Sequence, residues 1–285
     1  MEIDPTQAAA ERFNRRVFVG ISAAATLTAS TAIAGPEEAL GQPHAPLVPE
    51  NDPAISVEQV ELKLPDAAIP AYAAWPAGAG PKTPSVVVVM HIWGVDAPIR
   101  DVVRRYAKAG FAAIAPDLYG RFGAPNGDGA SDYTVFRPYA QRLDRTQYAA
   151  DIRAAAAWLA AKFPGTKTGI TGFCMGGRIA LLAAIDDGDV LVAVAPFYGP
   201  LKDVDPKALH VPACGSYGAR DTGIPAESVR EFAAALTVPN DFHIYDEAGH
   251  AFFDDTRPSY VASASADAWK RTLAFFERYL RGANT

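Results

Sequence analysis

The chain has 285 residues, 49% of them hydrophobic, and a formal net charge of −6 at pH 7. This length and apolar content suit a single α/β domain of about 250 residues with one large core. The acidic balance argues against nucleic acid as a partner, because proteins that bind it present a basic surface. The two cysteines do not form a disulfide framework, and the five histidines lack the spacing of a metal site.

The first 34 residues are predicted to be an export signal. A twin-arginine pair, Arg15 and Arg16, precedes a weakly hydrophobic run of small residues that ends in Ala32-Ile33-Ala34, a small-x-small cleavage pattern. We therefore predict twin-arginine export to the periplasm or the exterior, with cleavage after Ala34 and no stable membrane anchor afterwards. An uncleaved helical membrane anchor is the alternative, although the run is short and rich in Ser and Thr for a lipid environment.

Residues 35–54 are polar and rich in proline, which indicates a linker or an extended arm. The α/β domain itself is predicted to span residues 55–285. It begins with two alternating segments, Ser56–Leu64 and Ala67–Trp75, that suit an antiparallel hairpin. Further along, the polar stretch 118–141 is expected to be a long loop, either static or a lid.

The rest of the domain alternates between buried strands and helices. The run Ser85–His91 is rich in β-branched residues, which is typical of a strand buried on both faces. Further strands are predicted at Phe111–Ala115, just before Cys174, and at Val190–Tyr198, Val211–Tyr217 and Phe242–Asp246. Helices are predicted at Pro98–Ala109, at Arg145–Lys162, just after Cys174, and at Ala226–Leu236 and Ser259–Arg281. This alternation implies an α/β fold with a mostly parallel central sheet.

Residues 167–180 predict a sharp turn at Cys174 between a strand and a helix. Gly172 and Gly176 lie two positions before and after the cysteine, which is the spacing of a nucleophile elbow with a thiol as the nucleophile. Such a turn strains its central residue, and side chains two positions away would collide. The helix N-terminus would also favour a thiolate. A structural cysteine in a glycine-rich turn is the alternative that this pattern alone leaves open.

A thiol nucleophile requires a base, and the base requires a group that orients it. In a parallel sheet such groups gather beyond the carboxyl ends of the strands. Asp221 follows the strand Val211–Tyr217, and His250 follows the last strand, so the chain order is nucleophile, acid, histidine. We predict a catalytic triad of Cys174, Asp221 and His250. Taken singly, Asp221 also suits a turn or a helix cap, and His250 a surface loop.

The predicted chemistry is attack of the Cys174 thiolate on an ester or lactone carbonyl. A thioester would form, and water activated by His250 would then release the acid. Two backbone N–H groups are expected to stabilise the oxyanion. One belongs to Met175, directly after the nucleophile, and the other to Ile92, in the loop after the strand Ser85–His91.

These motifs resemble those of the dienelactone hydrolase family, a cysteine-nucleophile branch of the α/β-hydrolases, over roughly residues 55–280. The resemblance rests mainly on His-Ile-Trp-Gly-Val at 91–95, Ala-Pro-Asp-Leu-Tyr-Gly-Arg at 115–121, Gly-Phe-Cys-Met-Gly-Gly at 172–177 and Ala-Gly-His at 248–250. It implies the α/β-hydrolase fold with helices on both faces of the sheet. It also implies the triad Cys174–Asp221–His250 and hydrolysis of enol-lactones or activated esters without a cofactor.

The resemblance further implies substrate-binding positions. Arg121 corresponds to an arginine that pairs with a substrate carboxylate, whereas His91 replaces a glutamate and Asp254 replaces a second arginine. A substrate carboxylate would therefore meet one opposite and one like charge, and we expect a neutral or weakly polar ester or lactone. Two interpretations of His91 stay open: a hydrogen bond to Cys174 or a substrate oxygen, or a bond to a backbone carbonyl at the strand end.

Aromatic residues are candidates for the lining of an apolar cleft, although packing in the core is the commoner role of such residues. These candidates are Trp93, Phe173, Tyr198 and Phe252, together with Tyr119, Phe122 and Phe253. Cys214 lies in an apolar strand and is expected to be a buried thiol that does not pair with Cys174.

Two other functions remain as alternatives to ester hydrolysis. A thioesterase or acyltransferase would use the same triad, because fold and triad do not determine the acyl acceptor. A non-catalytic periplasmic ligand-binding protein would keep the cleft without turnover. In each case the expected partner is a small molecule, and the sequence makes no prediction of oligomeric state.

Overall fold

The computed structural model describes residues 40–165 and 167–281. The predicted export signal and residues 35–39 of the predicted linker lie outside the described residues. The described part of that linker, residues 40–54, contains no helix or strand. It is bonded to the domain: the N–H of Val48 donates to Asp101 (2.9 Å), and the N–H of Gly41 donates to the carbonyl oxygen of Asp255 (2.6 Å).

The domain begins with the hairpin that the alternating segments predict. Strands β1 (Ile55–Lys63) and β2 (Ala68–Pro76) pair antiparallel, with Ile55 opposite Pro76 and Lys63 opposite Ala68. The prediction of an antiparallel hairpin is therefore confirmed, with each boundary within one residue of the expected position.

Six further strands complete the sheet in the described residues. They are β3 (Ser85–Val89), β4 (Ala112–Pro116), β5 (Thr168–Phe173), β6 (Leu191–Phe197), β7 (Ala213–Gly218) and β8 (Asn240–Tyr245). The strand order is β1-β2-β4-β3-β5-β6-β7-β8. All pairings from β4 to β8 are parallel, and β4 joins the hairpin antiparallel to β2. Every residue of β3, β4 and β5 is buried, which confirms that Ser85–Val89 is a strand covered on both faces.

Helices cover both faces of this mostly parallel sheet. They are α1 (Ala97–Lys108), α2 (Arg137–Ala140), α3 (Arg145–Lys162), α4 (Met175–Asp186), α5 (Ala226–Ala235) and α6 (Ala262–Leu280). Side-chain caps explain two of the starts, because Asp96 accepts from the Ile99 N–H and Asp144 from the Thr146 and Gln147 N–H groups. The fold is that expected of an α/β-hydrolase. No helix among the described residues has both the length and the hydropathy needed to cross a membrane.

The long polar stretch 118–141 is only partly irregular. It contains a 3₁₀ turn at Tyr133–Val135 and the short helix α2. Phe136 between them is buried and packs edge-on against Trp93, with ring centroids 5.6 Å apart. This contact joins the segment to the turn that follows β3, beside the carboxyl ends of the parallel strands.

Candidate active site

Cys174 occupies the turn between β5 and α4. Its backbone lies at φ 55° and ψ −122°, and a positive φ is strained for a residue with a side chain. The Cys174 N–H donates to the carbonyl oxygen of Phe197 on β6 (3.1 Å), and its own carbonyl oxygen accepts from the Gly177 N–H (2.9 Å). Both bonds hold the strained residue in place, and the thiol remains partly exposed.

The two flanking glycines have no room for a side chain. A Cβ on Gly172 would collide with the carbonyl oxygen of Gly176, and a Cβ on Gly176 would collide with the carbonyl oxygens of Val89 and Met90. The first turn of α4 therefore packs directly on the backbone at the ends of β3 and β5. The spacing of glycines around Cys174 is a steric requirement of this packing.

His250 lies in the loop after β8 and faces Cys174. Its Nε2 is 3.0 Å from Sγ of Cys174, and its Nδ1 is 2.7 Å from Oδ2 of Asp221. The ring of Tyr198 packs edge-on against the imidazole, with centroids 5.3 Å apart. The structure thus brings together the three residues that the sequence singles out, in the order thiol, imidazole, carboxylate.

Asp221 bonds both a turn and the histidine. Its Oδ1 accepts the N–H groups of Gly223 (2.9 Å) and Ile224 (3.2 Å), while its Oδ2 faces His250. The side chain is buried, so the amide bonds hold the carboxylate in one orientation. Turn capping and contact with the imidazole are therefore both observed, on different oxygen atoms.

The charges around His250 favour a protonated imidazole. Burial lowers the pKa of His250, but the hydrogen bonds to Asp221 and to Cys174 raise it by more, and the resulting pKa is about 10. The imidazole is therefore an imidazolium at neutral pH when the sulfur carries negative charge. The Asp221 carboxylate and the Cys174 sulfur thus both stabilise a proton on the imidazole.

The backbone N–H groups of Met175 and Ile92 are the two donors that the sequence predicts for the oxyanion. The Met175 N–H opens α4 and so has no acceptor within the helix. Ile92 lies in the turn after β3, where the Tyr119 hydroxyl donates to its carbonyl oxygen (3.1 Å). Within residues 40–165 and 167–281, neither N–H donates to a backbone oxygen. Their role in stabilising negative charge on a substrate oxygen stays a prediction.

Arg121, which the resemblance places opposite a substrate carboxylate, is bonded within the chain. Its guanidinium group is bonded to two carboxylates of the chain, Asp66 (Nη1–Oδ2 2.8 Å) and Asp151 (Nε–Oδ1 3.2 Å). Arg121 and Asp151 are 8% and 1% exposed. Because its donors already serve these partners, Arg121 links α3 to the β1–β2 turn instead of offering a free charge to a substrate carboxylate.

His91 also differs from both interpretations of the sequence. Its Nε2 is 2.8 Å from Oδ1 of Asp96, and its Nδ1 is 4.0 Å from Oδ2 of Asp254. The hydrogen-bond partner of the His91 imidazole is thus the buried carboxylate of Asp96, and not Cys174 or a backbone carbonyl. The same Oδ2 of Asp254 accepts a hydrogen bond from Nε of Arg257 at 2.9 Å.

The predicted aromatic lining divides into core residues and residues at the triad. Phe173 and Phe252 are buried: Phe173 stacks on Phe253 (centroids 5.6 Å apart), and Phe252 packs against Tyr198 (5.5 Å). Both rings are packed in the core and offer no exposed face to a ligand. Tyr198 contacts His250 directly, and Trp93 lies in the turn that carries the Ile92 N–H.

Sequence reasoning did not identify Asp96 and Arg257 as site residues. The signal for Asp96 was available, since an Asp two residues before Pro98 suits a helix N-cap. Arg257 lies over the ring of Trp93, 4.1 Å from its centroid, and donates to the carbonyl oxygen of Ala130. No local pattern predicts that contact, because its partners come from three separate loops.

A polar cavity of about 270 Å³ lies beside the turn that follows β3. Its lining includes Trp93, Gly94, Arg100, Asp117, Tyr119 and Asn126. Burial raises the pKa of Asp117. A guanidinium, a carboxyl and an amide group in one small space suit a polar group of a ligand better than an apolar one. Among the described residues, no three His, Cys, Asp or Glu side chains form a group that could hold a metal ion.

Cys214 is a free thiol buried in β7, and Cys174 is also free. Burial raises the pKa of Cys214 to about 12, so this second thiol is unreactive at neutral pH. The prediction that the two cysteines do not pair is confirmed.

Comparison with known proteins gives a consistent family match. A model of the dienelactone hydrolase family matches residues 69–280. A protein of Methylorubrum extorquens named "Putative carboxymethylenebutenolidase" is 38% identical over 237 residues, which cover 78% of this chain and 80% of the relative. A protein of Escherichia coli K12 with the same name is 40% identical over 227 residues, covering 74% and 83%.

Solved structures show the same similarity. A crystal structure from Klebsiella pneumoniae described as "Putative Dienelactone Hydrolase" has a TM-score of 0.73 at 34% identity, covering 79% of this chain and 100% of the other. A dienelactone hydrolase-like promiscuous phosphotriesterase from metagenomic libraries has a TM-score of 0.64 at 25% identity, covering 80% and 99%. The family match includes the positions of Cys174, Asp221 and His250.

Proposed function

The chain belongs to the dienelactone hydrolase family and is a hydrolase of lactones or esters, and we propose that it cleaves its substrate through Cys174, His250 and Asp221 with a thioester intermediate. The observation that carries this proposal is the pair of distances at the imidazole, 3.0 Å to the sulfur and 2.7 Å to the carboxylate. A nucleophile, its base and the group that orients the base are thus within hydrogen-bonding reach.

Acylation begins with attack of the Cys174 thiolate on the carbonyl carbon. A C–S bond forms, and the π electrons of the carbonyl move to its oxygen, which the N–H groups of Met175 and Ile92 stabilise. When the tetrahedral intermediate collapses, the C–O bond to the alcohol breaks and Nε2 of His250 donates its proton to the leaving oxygen. In a lactone this alcohol stays tethered to the acyl group.

Deacylation uses the same residues in the opposite sense. The neutral Nε2 of His250 accepts a proton from water, whose oxygen attacks the thioester carbon. The C–S bond then breaks, the acid leaves, and the thiolate and imidazolium are restored. Asp221 holds the imidazole in one orientation through both half-reactions, because its carboxylate is itself fixed by two amide bonds.

We further propose that the substrate is neutral or weakly polar at the reacting end. The support is electrostatic: Arg121 is occupied by Asp66 and Asp151, and Asp254 lies near the catalytic loop. A substrate carboxylate would lose its hydration without gaining a free guanidinium. Aryl and alkyl esters and uncharged lactones meet no such cost.

The test combines turnover with intact-mass measurement. The protein is mixed with a panel of neutral aryl esters, uncharged lactones and carboxylate-bearing lactones. The intact mass of the protein in rapidly quenched samples is then measured by mass spectrometry. We expect an acyl adduct on Cys174 with neutral esters, and its loss after prior alkylation with iodoacetamide. Hydrolysis that survives complete alkylation of Cys174 would overturn the thioester mechanism, and faster turnover of the carboxylate-bearing lactones would overturn the proposed substrate class.

The two alternatives raised by the sequence are not favoured by the comparisons. The names of the similar proteins describe hydrolases of lactones and esters, and none of those reported above describes a thioesterase, an acyltransferase or a binding protein. In the same panel, transfer of the acyl group to an added alcohol or thiol faster than to water would point to an acyltransferase.

A further inference from the structure

The turn between β3 and α1 carries a buried hydrogen bond between His91 and Asp96 that has no part in the proposed proton transfers. Nε2 of His91 is 2.8 Å from Oδ1 of Asp96, and the two side chains are 9% and 1% exposed. With a carboxylate as its partner, Nε2 is the donor. The contact joins the two ends of the loop 91–96, and Ile92 directly follows His91 in that loop.

Asp96 is itself fixed, so the loop is anchored to a helix. Its Oδ1 accepts the Ile99 N–H (3.3 Å) as the N-cap of α1. Inside the loop, the Gly94 N–H donates to the His91 carbonyl oxygen (3.2 Å), and Gly94 has φ +82°. The peptide that carries the Ile92 N–H directly follows His91, so the contacts that hold His91 also constrain this peptide.

The other side of the His91 ring faces the loop that carries the catalytic histidine. Nδ1 of His91 is 4.0 Å from Oδ2 of Asp254, four residues after His250. The same oxygen accepts from Arg257 (2.9 Å), whose guanidinium group covers the Trp93 ring. The imidazole therefore lies between the turn with the Ile92 N–H and the loop with His250.

We infer that His91 is a positioning residue: held by Asp96 and facing Asp254, its imidazole fixes the turn that directs the Ile92 N–H at the substrate oxygen. This inference rests on the proposed function, because it assigns His91 a role in stabilising the oxyanion. His91 moves no proton in the reaction, since its Nε2 is committed to a buried carboxylate and Cys174 has its own partner in His250.

Three variants separate positioning from other roles. His91→Gln keeps an N–H donor near the Nε2 position, His91→Leu removes it at similar volume, and His210→Gln is the control at an exposed histidine. We expect His91→Leu to lower kcat by about 100-fold, the usual effect of losing one oxyanion donor, with KM nearly unchanged. His91→Gln should recover most of kcat, and the shape of the pH–rate profile should not change in either variant.

A second measurement requires no turnover. The probe is an aryl trifluoromethyl ketone, observed by ¹⁹F NMR: the Cys174 thiolate adds to its carbonyl carbon, a C–S bond forms, and the carbonyl π electrons become an oxyanion with no leaving group. We expect His91→Leu to bind this probe at least about tenfold more weakly than the parent. Its rate of alkylation by iodoacetamide, which needs the thiolate but no oxyanion donors, should match that of the parent.

The outcomes distinguish this inference from the proposed function. Parental probe affinity and kcat in His91→Leu would overturn the positioning role, and so would a His91→Gln variant as impaired as His91→Leu or a shifted pH profile in either. A parent protein that binds the probe but hydrolyses no ester would refute the proposed function, while the probe affinities of the variants would still decide the role of His91. A parent whose Cys174 neither binds the probe nor is alkylated would refute both.

Discussion

At the scale of single residues, backbone strain is concentrated around the triad. Four non-glycine residues among those described have a positive φ, and three of them are Cys174, Tyr198 and Ala251. Tyr198 packs on the catalytic imidazole, and Ala251 directly follows His250. Strain of this kind persists only where the surrounding contacts over-determine the conformation. The contacts of the surrounding fold therefore maintain the strained backbone at these positions.

The two cysteines make a matched pair for testing the nucleophile. We expect Cys174→Ala to lower ester hydrolysis by at least about 1,000-fold, because no other group can form the thioester. Cys214→Ala should retain activity, since that thiol is buried in β7 with a pKa of about 12. Steady-state rates with an aryl ester measure both. Equal losses in the two variants would contradict the assignment.

The raised pKa of His250 predicts how stability depends on pH. The pKa rises from 6.5 to about 10 on folding, so the folded state binds a proton more tightly than the unfolded state. The resulting contribution to the free energy of unfolding is complete below pH 6.5 and is lost as the pH rises through about 10. Urea midpoints of the parent and of His250→Asn should therefore converge as the pH approaches 10. A constant difference between the two proteins over this range would exclude the raised pKa.

Arg121 is expected to contribute to stability and not to recognition of charge. Arg121→Met leaves the buried Asp151 carboxylate unpaired, which typically costs about 3–5 kcal/mol. The double variant Arg121→Met/Asp151→Leu should recover most of this loss, because no buried charge then remains. Urea denaturation measures the free energy of unfolding of both variants. A selective rise in KM for carboxylate-bearing esters, with stability unchanged, would instead restore the substrate-binding role.

The sequence predicted that Cys174, Asp221 and His250 meet because each follows a strand at a position that the fold dictates, and the structure brings them together. It did not identify the partners of Arg121, which lie 55 and 30 residues away along the chain. Nor did it predict the bond between His91 and Asp96, although they are only five residues apart. Chain separation does not decide which contacts can be predicted. A regular element fixes the direction of a side chain, whereas an irregular turn does not.

At the scale of elements, the ends of strands and helices differ from the predicted ends for local reasons. The predicted strand Ser85–His91 ends at Val89, because the following residues enter the turn that His91 closes with Asp96. The last helix begins at Ala262 and not at Ser259, since the Ser259 hydroxyl donates to the carbonyl oxygen of Ala251 (3.1 Å). Side chains that bond outside an element shorten it relative to its hydrophobic pattern.

The packing of α4 on β3 can be tested with two glycine variants. Gly176→Ala places a Cβ against the carbonyl oxygens of Val89 and Met90, so we expect a loss of about 3 kcal/mol in the free energy of unfolding. Gly78→Ala is the control, because no atom lies within 4 Å of its added Cβ. Chemical denaturation measures both. A parental stability for Gly176→Ala would show that α4 does not lie this close to the strand ends.

At the scale of the whole molecule, alternation of strands and helices was enough to predict a mostly parallel sheet. The strand order was not predictable in the same way. β4 lies between β2 and β3, and this order is set by contacts between distant segments. The period at which hydrophobic residues recur indicates which residues are buried, but it does not indicate which strands are neighbours. The family resemblance predicted the fold, whereas the order and register of the strands became known only from the structure.

Export is the prediction that concerns the full chain. We expect the protein made in a bacterium with a twin-arginine system to accumulate in the periplasm with Gly35 as its first residue. A variant in which Arg15 and Arg16 are both replaced by Lys should remain in the cytoplasm at full length. Cell fractionation with N-terminal sequencing measures both. Periplasmic recovery of the double-lysine variant would contradict the twin-arginine route.

The attachment of residues 41–48 to the domain has a practical consequence for biocatalysis. The Gly41 N–H and the His44 side chain both bond the backbone oxygen of Asp255, in the loop that also carries His250. A resin, tag or fusion partner joined close to this segment would pull on the catalytic loop. The other terminus is the better point for immobilisation. The end of α6 is bonded through Arg281 to Gly110, next to the amino end of β4, whereas Cys174 follows the carboxyl end of β5.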